Sequence, residues 1–167
     1  MSRSLGPRLP DALVARLDQR DVASRLGVAL PFATVDADGH PHPMLLSYLE
    51  VRAADPKTLR IVMGGRSRSA RNLLERQVAT FLIVEPEATV YIKARAADGP
   101  RSVPGLPDSA LFVLTVEEVL EDAPAEWEGG MRITGGVAYA PAPALDEPWA
   151  RATLDALAGG AEGQTRG

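Results

Sequence analysis

Between Thr58 and Val84 the chain has room for one short helix, with a strand on either side. The first segment, TLRIVMGG, is apolar and β-branched and stops at Gly64-Gly65. The last, VATFLIV, is a run too short for a buried helix. Between them, RSRSARNLLERQ has Ser67 in position to cap a helix and an apolar stripe of Ala70, Leu73 and Leu74. Arg68, Arg71 and Asn72 are three and four residues apart and share one side of that helix. Glycines, the hydroxyls of Ser67 and Ser69, free helix N–H groups and guanidinium forks therefore converge, as a phosphate or another dianion requires. A solvated, ion-paired face accounts for the same residues, because Arg71 and Glu75 are spaced i, i+4 and Gly64-Gly65 could serve only as a tight turn. On this stretch alone both readings stand.

The flanking chain supplies mostly strands. Leu13, Val14, Leu17, Val22 and Leu26 outline an amphipathic helix from Pro10 to about Leu26, broken near Asp21. Val28 to Asp36 reads as a strand closed by the hairpin signal Asp38-Gly39, and HPHPMLLSYLEVRA as the returning strand. A turn at 54–57 leads into the central stretch, and a turn at 85–87 leads to the strand TVYIKARA. A proline-rich loop over Gly99–Pro107 precedes Ala110 to Asp122, which could be strand or helix and whose β-branched first half favours strand. Segment 124–141 reads as a loop followed by a short strand. A helix from Asp146 to about Ala158 stops at Gly159-Gly160. The expected organisation is a flexible N-terminus (1–9), one domain (10–158) and a disordered tail (159–167). Six to seven strands, mostly joined by hairpins, point to a mainly β, antiparallel barrel with peripheral helices.

Composition narrows the function classes. The 167 residues are 46% hydrophobic and 24% charged with a net charge of −4, which suits one globular domain and gives no attraction to nucleic acid or an anionic membrane. The basic cluster Arg66–Arg71 is thus a local positive spot that fits a ligand-sized anion. Without cysteine there is no disulfide framework, thiol catalysis or Cys-type metal site. No apolar run approaches a membrane span and no signal-peptide pattern is present, so a cytoplasmic location is expected. His40 and His42 lie two apart with Asp36 or Asp38 as the nearest third ligand; surface histidines beside a turn explain them better, and no metal is expected. No side chain stands out as a catalytic acid or base.

The hairpin D-x-D-G-x-P at Asp36–Pro41, a following strand, and strand–G-x-x-S-R-x-A-R-N-L–strand together resemble the FMN-binding split β-barrel superfamily, whose best-known members are the pyridoxamine 5′-phosphate oxidases. The likeness runs from Ala29 to about Ala96, and 127–133 is similar to a W-G-G-x-R-V segment of the oxidases. It implies a homodimer with FMN in a cleft between subunits, acting as an oxidoreductase on a small molecule. It implies that Met44, Leu45, Leu46 and Ser47 line the flavin and ribityl chain, and that Val62 and Met63 contact the ring. Met44, Leu46, Val62 and Met63 would form an apolar wall. It further implies that Arg68 and Ser69 hold the phosphate, where the helix reading adds Ser67, Arg71 and Asn72, and that Thr89 stands at the position of a polar residue that reaches the flavin from the partner subunit. Ser69 stands where the family has lysine, a charge that Arg66 or Arg71 would replace. The substrate-holding R-x-H-D-R-like run has no counterpart in GVAYAPAPALDEPW, so the likeness covers fold and cofactor rather than vitamin B6 oxidation. Relatives with this barrel suggest one alternative, a deazaflavin-dependent reductase, whose cofactor's acidic tail would call on Arg66, Arg68 and Lys93; another, from a different class, is a protein that holds flavin or haem without turnover, with His40 or His42 as axial ligand for haem.

Overall fold

The strand signals assemble into eight strands and three α-helices in the computed structural model, which describes residues 2–86, 88–122, 127, 130 and 133–159. The strands are β1 (Ser2–Gly6), β2 (Ala29–Val35), β3 (Pro41–Ser47), β4 (Val51–Asp55), β5 (Thr58–Gly64), β6 (Val78–Glu85), β7 (Ala88–Val103) and β8 (Leu106–Asp122). The helices are α1 (Asp11–Leu17), α2 (Arg68–Arg76) and α3 (Pro148–Ala158). Every strand pair is antiparallel, in the order β3-β2-β6-β7-β8-β5-β4, with β1 added along β8.

β3 and β4 end this order on opposite sides, yet only the 3-10 turn Tyr48–Glu50 separates them in the chain. Four peptide steps reach at most roughly 14 Å, whereas the outer edges of seven flat strands stand roughly 29 Å apart. The sheet is therefore curled into a barrel that stays split between β3 and β4. Register slips along the β7–β8 ladder allow those two long strands to bend across it.

Inward-facing residues of every second position fill the barrel: Leu46, Ile61, Met63, Ile92, Phe112 and Leu114 surround Phe32 and Phe81, whose rings meet at 4.7 Å. α1 closes one side of the core with Leu13 and Leu17; the Tyr48 hydroxyl donates to the Arg16 carbonyl at 2.6 Å, and Gln19 donates to the carbonyls of Leu49 and Val51. α3 lays Ala156 and Leu157 over the outward-facing Val62, Val103 and Leu111, and Arg60 donates to the Leu157 carbonyl in its last turn. Among the described residues no helix is long and apolar enough to cross a membrane.

Several expectations change. The strands number eight, because residues 2–6 of the stretch expected to be flexible pair with β8, Ser2 opposite Asp122, and Leu9 is buried. A polar strand held by backbone bonds carries no hydrophobic alternation to reveal it. The loop expected over Gly99–Pro107 is largely ladder, interrupted only by the turn at 104–105. The helix from Pro10 divides into α1 and the 3-10 turn Val22–Arg25. Within 124–141, a single bridge from Ala138 to Val28 replaces the short strand among the described residues. The tail beyond Gly159 lies outside the described residues.

Replacing Phe81 by alanine removes one ring of the central pair and should lower unfolding free energy by about 3–5 kcal/mol. Urea denaturation of the variant against wild type measures this directly.

Candidate functional site

The Gly64–Ser67 turn is held on both sides. Gly65 donates to the Asp108 carbonyl at 2.8 Å and Ser67 to the Gly64 carbonyl at 3.0 Å. A Cβ on Gly65 would stand 3.3 Å from the Ala110 Cβ, so the turn packs closely onto β8. Ser67 caps α2 as its position predicts, its Oγ accepting from the Ala70 N–H at 3.1 Å. Helix geometry leaves the N–H groups of Arg68 and Ser69 without an intrahelical acceptor. Beside them lies an open groove of about 450 Å³ lined by Asp36, Asp38, Arg68, Arg71, Asn72, Glu75 and Arg76. Arg71 has no ion-pair partner among the described residues, and Arg66 is exposed on the far side of the turn, 4.0 Å from Asp108.

The buried face of α2 differs from the expected stripe. Ser69, Ala70, Asn72 and Leu73 are buried, while Leu74 is 51% exposed. Asn72 is 2% exposed and fully engaged. Its amide donates to Thr34 Oγ1 at 3.0 Å and to Asp36 Oδ1 at 2.8 Å, and its carbonyl accepts from Arg76 at 2.6 Å. Arg76 also donates to the Val35 carbonyl at 2.5 Å. Asn72 therefore ties α2 to β2 instead of offering its amide to a ligand. The second carboxylate oxygen of Asp36 faces Arg68 and His42, each at 3.5 Å. The Asn72 hydrogen bond holds the Asp36 carboxyl below its ordinary value, with His42 and Arg68 assisting and partial desolvation opposing.

Strand alternation dismantles the expected apolar wall. Leu46 and Met63 are buried in the barrel core and Met44 packs against it; Val62 faces outward but lies beneath α3. Of this group, Leu45 is the apolar side chain left outside, 43% exposed on the edge strand β3. Ser47 is buried, its N–H donating to Glu50 at 2.6 Å. Thr89 stands opposite Val84 and Asp122, roughly 20 Å along β6 from its start beside α2. One chain thus gathers Ser67, Arg68, Ser69 and Arg71 at the turn and leaves Thr89 remote.

Other candidates are accounted for as well. Lys93 pairs with Glu118 at 2.8 Å and Arg95 with Glu117 at 2.7 Å, a ladder on the outer sheet surface. His40 faces Asp38 at 3.2 Å and His42 faces Asp36; among the described residues no group of three or more side chains is arranged to hold a metal ion. Trp127 is exposed, and most of the segment around it lies outside the described residues. Sequence reasoning missed Thr34, Asp36 and Arg76 as parts of the site, since nothing in their spacing couples a hairpin to a helix so far along the chain.

A curled, split antiparallel barrel with a capped, arginine-bearing helix packed against β2, β6 and β7 defines the class. The family model described as pyridoxamine 5′-phosphate oxidase matches residues 28–164, and the chain belongs to that family. Solved structures share the fold. A pyridoxamine 5′-phosphate oxidase candidate from Lactobacillus delbrueckii superposes with a TM-score of 0.55 at 19% identity, over 70% of this chain and 98% of its own. An FMN-binding protein from Syntrophomonas wolfei gives 0.50 at 11% identity, over 70% and 90%. HupZ from Group A Streptococcus gives 0.51 at 14%, over 78% and 99%. Comparison with curated proteins gives no significant sequence match.

Two outcomes follow for stability. Asn72→Ala removes a buried amide from the buried Thr34 and the half-buried Asp36 and Arg76 and should cost about 2–4 kcal/mol, whereas Arg68→Ala should stay within about 0.5 kcal/mol, both read by urea denaturation. Because the folded pKa of Asp36 lies below its ordinary 3.8, ionised Asp36 stabilises the fold above that value and the contribution disappears as pH falls through the lower folded value. Asp36→Asn should therefore flatten the stability–pH curve below about pH 4, measured by acid titration of thermal unfolding.

Proposed function

We propose that this protein binds FMN, with the phosphate at the α2 turn, and uses it as an oxidoreductase on a small molecule. The observation that carries the reading is that the guanidiniums of Arg68 and Arg71 line one groove alongside a helix whose start, capped by Ser67 and with two amides lacking an intrahelical acceptor, adjoins Arg68. The residues present suit a phosphate dianion: Arg71 has no counter-ion among the described residues, and Arg68, 66% exposed, is free to turn towards the helix start. A longer acidic cofactor tail finds less to hold it, since Lys93 is engaged by Glu118.

Membership of the pyridoxamine 5′-phosphate oxidase family supports the same cofactor class. Bound there, the flavin would supply hydride or electron transfer. The protein orients it: α2 fixes the phosphate end, and the outer edge of β3 around Leu45 offers an apolar surface to the ring. That surface is only part of an enclosure. An unpaired edge strand carrying an exposed leucine and the distance from Arg68 to Thr89 both favour a cleft completed by a second copy of the chain. Placing the ring between subunits would exclude water from it.

An absorbance and fluorescence scan of the purified protein, followed by FMN titration, tests the reading. A flavin spectrum or saturable quenching is expected. Arg68→Ala should weaken binding by about 1.5–3 kcal/mol, or roughly ten- to a hundredfold in Kd. Unchanged affinity in that variant would remove the phosphate assignment.

A further inference from the structure

We infer that Asp36 is a fixed competing counter-ion for Arg68, a positioning residue that sets how strongly the α2 turn takes a phosphate; this rests on the phosphate-binding reading above. The argument begins with how firmly the carboxylate is held. Asn72 grips Oδ1 at 2.8 Å and is itself fixed by Thr34 and Arg76. Asp36 is therefore unable to swing away when a ligand arrives. Its other oxygen faces Arg68 Nη1 at 3.5 Å and His42 Nδ1 at the same distance. At that length the Arg68 contact is held by charge more than by a directed hydrogen bond, and the guanidinium keeps its freedom to exchange partners.

The remaining charges in the groove make Arg68 the variable member. Its lining includes the carboxylates of Asp36, Asp38 and Glu75 against the guanidiniums of Arg68, Arg71 and Arg76, so it has no net positive charge from these groups. Glu75 is paired with Arg76 at 2.9 Å, and Asp38, 69% exposed, is screened by solvent. Arg71 is uncommitted among the described residues, while Arg68 is shared between Asp36 and any incoming anion. A phosphate must draw Arg68 from Asp36 and then sit near a carboxylate that stays in place. Affinity is thereby restrained, and the groove favours ligands whose phosphate charge outweighs that of one carboxylate.

Asparagine at position 36 keeps an acceptor for the Asn72 amide while removing the charge, so Asp36→Asn separates the two roles. FMN titrations followed by fluorescence quenching compare wild type, Asp36→Asn, Asp38→Asn, Arg68→Ala and the Asp36→Asn/Arg68→Ala double variant. Asp36→Asn should tighten FMN binding about three- to tenfold, with the gain shrinking as salt is raised. Asp38→Asn should change it by less than about twofold, and the gain from Asp36→Asn should fall below about twofold once Arg68 is absent. No gain, or an equal gain with and without Arg68, overturns the inference. A second probe, inorganic phosphate followed by NMR of the arginine Nε–H groups, separates this result from the cofactor reading. If FMN binds none of the proteins, that reading fails alone. Tighter phosphate binding and a shifted Arg68 signal in Asp36→Asn then uphold the role of Asp36, and unchanged signals remove it.

Discussion

Three residues between β3 and β4 dictate the shape of this molecule. Tyr48–Glu50 must join strands at opposite ends of the sheet order, and a chain that short permits this only if the sheet rolls up. The link is well secured. Tyr48 is buried with its hydroxyl on the Arg16 carbonyl, the Leu49 and Val51 carbonyls take hydrogen bonds from Gln19, and Arg25 lies over the Tyr48 ring at 5.8 Å. α1 and the 3-10 turn after it thus clamp the point where curvature is imposed. Glu85, at the end of the neighbouring strand β6, receives both Arg16 and Arg25 and ties the same N-terminal segment to that strand.

Curling has a direct consequence for the site. β2 pairs with β3 on one side and β6 on the other, while α2 runs between β5 and β6, so the end of β2 comes to rest against the buried face of α2. Thr34 and Asp36 then meet Asn72. A buried amide with every hydrogen-bonding group satisfied favours one docking of the helix, since any other would leave polar atoms unpaired in the interior. The same network places a carboxylate on the rim of the groove beside α2, with one oxygen of Asp36 serving the fold and the other facing Arg68 and His42.

The two halves of the candidate site differ in completeness. The end proposed for a phosphate is local to one chain, because a helix start carries its own amides and its own cap. The ring end depends on surfaces that strand alternation and α3 largely withdraw: Leu46 and Met63 turn inward, and Leu157 packs over the strand that carries Val62. A flat cofactor would find Leu45 and the free edge of β3, a partial surface of the kind that a second subunit could enclose.

Sequence by itself determined the features written in local pattern. The strand–glycine–helix–strand of Thr58–Val84, the Ser67 cap, the Asp38-Gly39 hairpin, the antiparallel β class and the split-barrel family were all legible, since each rests on residues within a turn or two of one another. Tertiary structure decided which side of each element faces inward and which distant groups meet. Asn72 became an anchor, Leu74 an exposed residue, and Lys93 one end of an ion pair with Glu118, through partners that no local spacing specifies. β1 belongs to the same group: backbone pairing with β8 holds a polar segment whose side chains give no sign of it. Local pattern fixes what an element is; its partners, and hence the charge surrounding Arg68, are set only when the sheet closes on itself.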